Sequence, residues 1–170
     1  MDSAQYIASI HLSIMQRLKI MLVCSAGGHF HTMQGLHPFW DTHERVWVTF
    51  LTATTKAALE GEKVYWAWSP TNRNLRNLVR NFFLAWKVLF QERPHLVIST
   101  GAGVTVPFLI MAKILGSQTV FVESITRVRQ LSLSARLVLP FLDTLYVHWP
   151  QLQVRYPRAQ FIGPYVKSFP

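Results

Sequence analysis

The sequence has very little cysteine and few acidic residues. Cys24 is the only cysteine among 170 residues, so the chain forms no intramolecular disulfide and no cysteine-rich zinc site. A single thiol fits a reducing compartment, and we predict a cytosolic protein. The 8 Asp and Glu residues stand against 17 Lys and Arg residues, which gives a formal net charge of +9. This excess favours an anionic partner: nucleic acid, anionic lipid headgroups or a phosphorylated substrate.

Long apolar runs are also missing. The apolar stretch near the N-terminus covers Tyr6 to Met15 and is interrupted by His11, whereas a helix that spans a bilayer needs about 20 apolar residues. The basic start and small-residue cleavage site of a secretion signal are absent as well, so we expect neither a transmembrane segment nor export. We assign residues 1–18 to a membrane-proximal or partner-contacting segment and residues 19–170 to a single domain.

Short segments rich in β-branched and aromatic residues alternate along the chain with longer helical candidates. The predicted strands cover residues 19–24, 45–50, 63–68, 95–100, 118–124, 144–149 and 159–163, and the clearest helices cover 72–91 and 106–116. Pro107 suits a first helical turn and Gly116 suits a C-terminal cap. Because the strands are continuously apolar, the pattern predicts a Rossmann-like, doubly wound parallel α/β sheet with helices on both faces.

Ligands of such sheets bind beyond the carboxyl ends of the strands, near the point where the winding reverses. The loop after the first predicted strand reads SAGGH, in which Gly27 and Gly28 allow a sharp turn and a close approach of backbone to a ligand. His29 follows them, either as a catalytic group or as a structural histidine after a tight turn. The loop lacks the full dinucleotide fingerprint and its acidic ribose anchor, which argues against a nicotinamide cofactor.

Two further loops are rich in glycine or charge. In the segment GAG, Gly101 and Gly103 bring backbone close to a ligand or to a neighbouring loop, and the helix that follows could bind a phosphate; the structural alternative is close packing of that helix on a strand. Glu123 ends the apolar segment TVFVE, where a carboxylate needs a partner. One interpretation of Glu123 is an ion pair with Arg127 or Arg129. The other is a general base, or a group that binds an acceptor hydroxyl, while Arg127 binds phosphate.

The helix predicted over residues 72–91 combines bulky apolar side chains with basic ones. The residues of most interest on it are Arg73, Arg76, Arg80, Phe82, Phe83, Trp86 and Lys87. A basic amphipathic helix of this kind fits contact with an anionic bilayer, and it equally fits a core helix whose basic face is solvated. The apolar arc is wider than one sheet contact requires, which keeps the membrane interpretation open.

The histidines give no indication of a metal centre. The chain has seven of them, with no ligand spacing on a common helix face, and we predict no metal site. Basic residues interleaved with aromatic residues are compatible with nucleic acid, but no recognised nucleic-acid motif accompanies them. We therefore do not expect nucleic acid as a partner.

Four segments together resemble one family: SAGGH, ERPHLVISTGAGVTVPFLIMAKILG, VFVESITRVRQLSLSARLV and VHWPQLQVRYPRAQFIGP. They are similar to the membrane-associated subunit of the eukaryotic two-subunit transferase that adds the second GlcNAc to dolichol-pyrophosphate-GlcNAc. They resemble even more closely its bacterial relatives in capsule and exopolysaccharide clusters. The resemblance runs from about Lys19 to Val166, and the stretches VESITRV and WPQL are its specific parts.

The resemblance implies one half of a split GT-B glycosyltransferase, equivalent to the N-terminal, acceptor-side domain of full-length relatives. It implies a donor-binding partner subunit of similar size, which binds the UDP-sugar, and a polyprenyl-pyrophosphate-linked saccharide as acceptor. The implied reaction inverts the anomeric carbon without a metal or other cofactor. It belongs to polysaccharide biosynthesis at the cytoplasmic face of the membrane, where the chain would be peripheral.

The same resemblance assigns roles to individual residues. His29 and Glu123 are the candidate acceptor bases, and no motif decides between them. The residues implied to bind acceptor and phosphate are Gly27, Gly28, Gly101, Gly103, Ser124 and Arg127. Eukaryotic members begin with a membrane-spanning helix, whereas membrane association of this chain would depend on residues 6–15 and 72–91. A second departure is Phe30, which stands where the eukaryotic members have a small polar residue.

Two other functions stay open. The chain could be a non-catalytic scaffold that recruits a separate catalytic subunit to the membrane, or, less favourably, a nucleic-acid-binding protein. A catalytic subunit requires His29 or Glu123 for turnover, a scaffold requires neither, and a nucleic-acid-binding protein is retained by DNA or RNA in a salt-dependent way.

Overall fold

The computed structural model describes residues 17–71 and 74–162. Its strands are β1 (Lys19–Cys24), β2 (Glu44–Phe50), β3 (Val64–Ala67), β4 (Leu96–Gly101), β5 (Gln118–Val122), β6 (Thr144–Val147) and β7 (Gln160–Phe161). They form one sheet in the order β3-β2-β1-β4-β5-β6-β7, and every pair of neighbours is parallel. All the predicted strands are present, and the predicted doubly wound fold class is confirmed.

Helices connect these strands. They are α1 (Gly28–Gly35), α2 (His37–Trp40), α3 (Ala53–Ala58), α4 (Leu75–Glu92), α5 (Thr105–Ile114), α6 (Leu133–Val138) and α7 (Pro150–Arg155), with a 3-10 turn over Leu139–Phe141. The two helices that the sequence predicted correspond to α4 and α5. Within the described residues, no helix is both long and apolar enough to span a bilayer.

Alternate residues of the central strands are buried against different helices. In β1, Met21 and Val23 belong to the core cluster that includes residues of α4, α5 and α6. Ile20 and Leu22 point to the other face and belong to the cluster with α1 and α2. Burial on both faces explains why the strands are continuously apolar rather than alternating.

The orientation of α4 differs from that of an ordinary core helix. Its buried residues are Asn77, Asn81, Ala85, Val88, Leu89 and Glu92. Its exposed apolar residues, which we call the α4 surface, are Leu75, Leu78, Val79, Phe82, Phe83, Trp86 and Phe90. The helix therefore packs on the core through one face, as the core-helix interpretation requires, but its solvated face carries large apolar residues as well as basic ones. The asparagines can lie inside because their amides bind backbone groups of a neighbouring loop, as described below.

A buried carboxylate stabilises the end of the sheet at which the parallel strands begin. Glu92, the last residue of α4, is 3% exposed. Its carboxylate accepts hydrogen bonds from Lys19 Nζ at 2.9 Å, from Lys63 Nζ at 2.8 Å and from the Tyr65 hydroxyl. Burial alone would raise the pKa of Glu92, but the hydrogen bonds from Lys63, Tyr65 and Lys19 outweigh it and lower the pKa to about 2. Glu92 thus joins the first strand, the third strand and α4 through one charge.

We expect Glu92→Gln to lower the free energy of unfolding at neutral pH by about 1–3 kcal/mol, the usual contribution of hydrogen bonds to a charged group. Because the folded-state pKa lies below the ordinary value of 4.5, this contribution is complete above that pH and is lost as the pH falls toward 2. Urea unfolding of both proteins between pH 7 and pH 2 measures it: the difference between them should shrink as the pH falls.

Glu44→Gln is the matched control for this prediction. Glu44 also binds Lys19 Nζ, at 3.3 Å, but its side chain is 59% exposed, and exposed ion pairs contribute at most about 1 kcal/mol. Equal losses of stability for the two variants at neutral pH would contradict the special role of Glu92.

Candidate functional site

The winding of the sheet reverses between β1 and β4, so the loops after these strands diverge at the carboxyl edge. A groove of about 1150 Å³ lies at this edge. His29 after β1, Gly103 after β4 and Glu123 after β5 all line it. The loops that the sequence marked as candidate site loops therefore meet in one groove.

A second cavity of about 640 Å³ lies at the opposite edge, between the C-terminal ends of α4 and α5. None of the described candidate site residues lines it. Since parallel α/β sheets bind their ligands at the carboxyl ends of the strands, the groove at that edge is the candidate functional site.

His29 lies in the first turn of α1 and is fixed by two hydrogen bonds. Gly27, the N-cap of α1, has φ 77°, a conformation that only glycine adopts without cost. His29 Nδ1 lies 2.6 Å from the Thr100 carbonyl oxygen. The Thr100 hydroxyl donates in return to the His29 carbonyl oxygen at 2.7 Å. The turn after β1 is thereby joined to the end of β4.

This arrangement selects one tautomer of His29. A carbonyl oxygen only accepts hydrogen bonds, so Nδ1 must be the donor and carry the proton. The neutral ring then has its lone pair on Nε2. Because the half-buried ring lines the groove, His29 is in position to accept a proton from a bound ligand.

The second glycine loop packs tightly between His29 and the loop that precedes α4. A Cβ atom on Gly101 would lie 2.8 Å from His29 Cε1, and Gly101 has φ 119°. A Cβ atom on Gly103 would lie 3.0 Å from the Thr71 side chain. The interpretation of these glycines as close packing against a neighbouring loop is confirmed, and Gly101 supports the imidazole ring from behind.

Backbone amides, and no arginine, compensate the charge of Glu123. The residue is 1% exposed, and its two carboxylate oxygens accept hydrogen bonds from the amides of Ser124 at 2.8 Å and Ser132 at 2.7 Å. Among the described residues no salt bridge joins it to Arg127 or Arg129. The ion-pair interpretation is therefore wrong. Glu123 instead ties the two ends of the loop over residues 124–132.

The same loop has a further anchor in Trp149. The indole Nε1 donates to the Ile125 carbonyl oxygen at 2.6 Å, and the Ser124 hydroxyl lies 2.9 Å from that of Thr126. Arg127 remains exposed and lines the groove, where its guanidinium can bind an anion. Sequence reasoning missed the anchoring role of Trp149, for which its place in the polar loop after β6 was the available signal.

Another wall of the groove is fixed by α4. The Asn81 amide binds both the backbone N and the carbonyl oxygen of Trp68, at 2.8 Å and 2.9 Å, and Asn77 Nδ2 donates to the Pro70 carbonyl oxygen at 2.9 Å. The residues after Trp68, through Thr71, line the groove. Sequence reasoning missed both asparagines because polar residues on an amphipathic helix normally face water. Their spacing of four residues was the available signal.

The remaining predicted residues lie nearby or elsewhere. Gly27 and Gly28 are exposed at the start of α1, and neither lines the groove. Arg73 lies outside the described residues. Burial raises the pKa of the Cys24 thiol to about 12, offset only in part by its hydrogen bond with the Thr49 hydroxyl, to which the thiol donates, so Cys24 is an inert core residue. The part of the chain that the structure describes contains no group of three or more His, Cys, Asp or Glu that could hold a metal ion.

The α4 surface is unusually apolar for an exposed helix face. Its residues are between 37% and 73% exposed, and Trp86 stacks on Phe90 with ring centroids 5.9 Å apart. Ile114 at the end of α5 is also 66% exposed. Large contiguous apolar patches on a soluble domain mark binding surfaces. Arg76 and Lys87 are exposed on the same helix, so cationic groups accompany the apolar ones.

The chain matches the family described as "Oligosaccharide biosynthesis protein Alg14 like" over residues 69–165, more than half of its length. It is 36% identical over 89 residues to the UDP-N-acetylglucosamine transferase subunit ALG14 of Yarrowia lipolytica, a match that covers 49% of this chain and 41% of the relative. The equally named protein of Candida albicans is 25% identical over 175 residues, covering 88% and 79%. The match thus spans less than half of the Yarrowia protein.

Solved structures share the fold. Acinetobacter baumannii MurG superposes with a TM-score of 0.66 at 14% identity, over 79% of this chain and 42% of that chain. At this low identity the similarity concerns the architecture of the sheet and its helices.

We expect Gly101→Ala to destabilise the protein and to displace the His29 ring. The new methyl group would meet the ring, and the residue would have to keep φ 119°, so the expected cost is about 1–3 kcal/mol of unfolding free energy. Urea unfolding measures the cost, and the NMR signals of the His29 ring report its displacement.

Gly35→Ala is the matched control, since a Cβ atom there meets nothing within 4 Å. It should change the unfolding free energy by no more than about 1 kcal/mol and leave the His29 signals in place. Indistinguishable behaviour of the two variants would contradict the supporting role of Gly101.

Proposed function

The chain belongs to the Alg14-like family of oligosaccharide biosynthesis proteins, and from this premise we propose that it is the acceptor-binding, membrane-associating subunit of a split inverting glycosyltransferase. The observation that carries the proposal is the orientation of His29. Its Nδ1 is bound to a carbonyl oxygen, so Nε2 is the basic nitrogen of a ring that lines the groove. This is the arrangement that an enzyme needs to deprotonate an acceptor hydroxyl.

We propose transfer of a sugar from a UDP-sugar to a polyprenyl-pyrophosphate-linked saccharide. The names of the relatives, which are UDP-N-acetylglucosamine transferase subunits, support the donor class and the role as a subunit. MurG is more than twice the length of the region that superposes here. This difference supports a separate partner subunit, similar in size to this chain, that binds most of the UDP-sugar.

In the proposed reaction the acceptor hydroxyl donates a hydrogen bond to His29 Nε2. As the hydroxyl oxygen attacks the anomeric carbon in line, its proton passes to Nε2 and the bond between that carbon and the UDP oxygen breaks. The electron pair leaves with UDP, and the configuration at the carbon inverts. The Thr100 carbonyl oxygen, 2.6 Å from Nδ1, stabilises the positive charge that the ring acquires.

Glu123 has a positioning role in this proposal rather than the role of base. Both of its oxygens already accept backbone hydrogen bonds, so it holds Ser124 and Arg127 at the edge of the groove. Arg127 binds the acceptor pyrophosphate together with the N-terminus of α1, where the amide of His29, which lines the groove, has no partner within the helix. We propose that these groups carry the phosphate charge without a metal ion or another cofactor.

His29→Ala should lower kcat of the reconstituted two-subunit enzyme by about 10²–10⁴-fold, the usual contribution of a general base. Glu123→Gln should act mainly on the KM for the acceptor, because its amide group cannot accept both backbone hydrogen bonds and the Arg127 loop shifts. Initial rates with a polyprenyl-pyrophosphate-sugar and UDP-GlcNAc, measured in the presence of EDTA, separate the two effects.

His31→Ala is the matched control, since His31 lies on the same helix, is exposed and does not line the groove. A large loss of kcat for Glu123→Gln with normal turnover for His29→Ala would reverse the assignment of the base. Normal turnover for both would leave only the scaffold function. Complete loss of activity in EDTA would contradict a metal-independent reaction.

We also propose that the α4 surface contacts the cytoplasmic face of a membrane as a peripheral attachment. Phe82, Phe83 and Trp86 are 44%, 67% and 51% exposed, and aromatic residues of this size insert between lipid headgroups. Arg76, Arg80 and Lys87 lie on the same helix and would attract anionic lipids. This contact brings the groove to the bilayer that holds a lipid-linked acceptor.

The triple variant Phe82→Ser, Phe83→Ser and Trp86→Ser should bind phosphatidylglycerol vesicles at least about tenfold more weakly than the unchanged protein. Each aromatic side chain buried in the bilayer contributes about 1.5–3 kcal/mol. Binding of the unchanged protein should also weaken as salt is raised, since salt screens the basic residues. Vesicle flotation at several salt concentrations measures both effects.

Val154→Ser provides the control, because Val154 is 84% exposed on α7, away from the α4 surface. It should bind vesicles as the unchanged protein does. Unaltered binding of the triple variant, or retention on DNA or RNA in place of vesicles at physiological salt, would contradict the membrane proposal.

A further inference from the structure

The second cavity, at the end of the sheet where the parallel strands begin, has no part in the proposed reaction. It has a volume of about 640 Å³ and lies between the C-terminal ends of α4 and α5. Leu89 and Leu96 line it and are almost fully buried, whereas Phe90 and Leu115 line it and are 52% and 39% exposed. Large apolar side chains left exposed around a cavity mark a binding surface.

The chain enters the first strand along this cavity. Leu18, the residue before β1, lines it. Lys19 is fixed at the same place by His95, because the Lys19 backbone N donates to His95 Nδ1 at 3.0 Å and the His95 backbone N donates to the Lys19 carbonyl oxygen at 2.9 Å. His95 also lines the cavity. Residues 1–16, which lie outside the described residues, are therefore attached next to the cavity.

The sequence of this N-terminal segment contains an apolar helical face. Ile7, Ile10 and Ile14 recur at spacings of three and four residues, which is typical of one face of a helix. Ser9 and Ser13 fall on the opposite face of the same helix. A helix of this length is marginal in water by itself, so it requires a surface on which the isoleucines are buried.

The charge of the segment favours the cavity over an anionic bilayer as that surface. Residues 1–16 contain Asp2 and neither Lys nor Arg, although the whole chain has 17 of these cations. Amphipathic helices that lie on anionic bilayers are rich in Lys and Arg. The cavity presents Arg93 and His95, and none of the described residues that line it is acidic. A segment without cationic side chains is not repelled there.

The connection between the segment and the cavity is short. Met15 precedes Leu18 by three residues, and an extended chain spans at most about 3.6 Å per residue, so the two lie within about 11 Å of each other. A short tether of this kind gives the segment an effective concentration on the order of millimolar at the cavity. The segment of a second copy at micromolar concentration would compete poorly with it.

We propose that residues 6–15 of this chain fold back as a helix and occupy the cavity between the ends of α4 and α5. Ile10 and Ile14 then lie on the exposed phenylalanine and leucine of the cavity lining. The inference goes beyond the proposed function and does not depend on it, since the groove is at the other end of the sheet. The three aromatic residues that the membrane proposal assigns to the bilayer do not line this cavity.

A thiol placed in the cavity tests this occupant in the full chain. Gln118 is an exposed polar residue of the lining, so Gln118→Cys adds a thiol without removing an apolar contact. The native Cys24 is fully buried, and its raised thiol pKa of about 12 keeps it unreactive. Adding Ile10→Ser with Ile14→Ser should raise the rate of labelling by N-ethylmaleimide at least about tenfold, because burying one isoleucine contributes about that factor.

Three controls accompany this measurement. Ser9→Ala with Ser13→Ala alters the opposite face of the predicted helix and should leave the labelling rate of the reporter thiol unchanged. Ile10→Leu with Ile14→Leu keeps the apolar face and should preserve the slow labelling. A separate reporter, Val154→Cys, replaces a residue that is 84% exposed on α7 and should react equally fast with either form of the segment.

The labelling rates also distinguish the other occupants. A tenfold difference that is the same at every protein concentration supports the proposal. Equal rates with and without the serine pair would overturn it. Protection that disappears on dilution would assign the cavity to the segment of a second copy. Weaker binding of the serine pair to phosphatidylglycerol vesicles, with unchanged labelling of the reporter, would place the segment on a bilayer instead.

Discussion

The paired hydrogen bonds between His29 and Thr100, at 2.6 Å and 2.7 Å, are the interaction on which the rest of the site depends. They cross the point where the winding of the sheet reverses, so they join two loops that would otherwise diverge. The same pair fixes the tautomer of the imidazole, and Gly101 leaves the space that the ring fills. The junction of the two loops and the tautomer of His29 thus have one cause.

The walls of the groove are held in the same way, by hydrogen bonds between side chains and the backbone of the loops. Glu123 holds the loop that carries Arg127 through two amides, and Asn81 holds the loop that ends at Thr71 through the backbone of Trp68. Because Asn77 and Asn81 lie on the inner face of α4, the residues of the α4 surface are left on the outside. The fixed groove wall and the exposed α4 surface are therefore two sides of one helix.

Sequence patterns predicted the sheet well and the site in part. The bounds of β1 were predicted without error, and His29, Gly103, Glu123, Ser124 and Arg127 do line one groove. The partners of these residues were not predictable in the same way. Glu123 was interpreted as bound to an arginine nearby in sequence, but its second oxygen binds the amide of Ser132, which the folded loop brings back to it. Similarly, the periodicity of α4 identified an amphipathic helix without indicating which side faces the sheet.

The sequence by itself determined the order of strands and helices, the parallel sheet and the loops in which the site would lie, because apolar periodicity and glycine turns act over a few residues. Only the tertiary structure decided the tautomer of His29, the partners of Glu123, the inward face of α4 and the meeting of leucines from α4 and α6 in one groove. Each of these depends on contacts between distant segments. Thr100, for example, follows His29 by 71 positions, and no local pattern encodes a contact that the winding of the sheet creates.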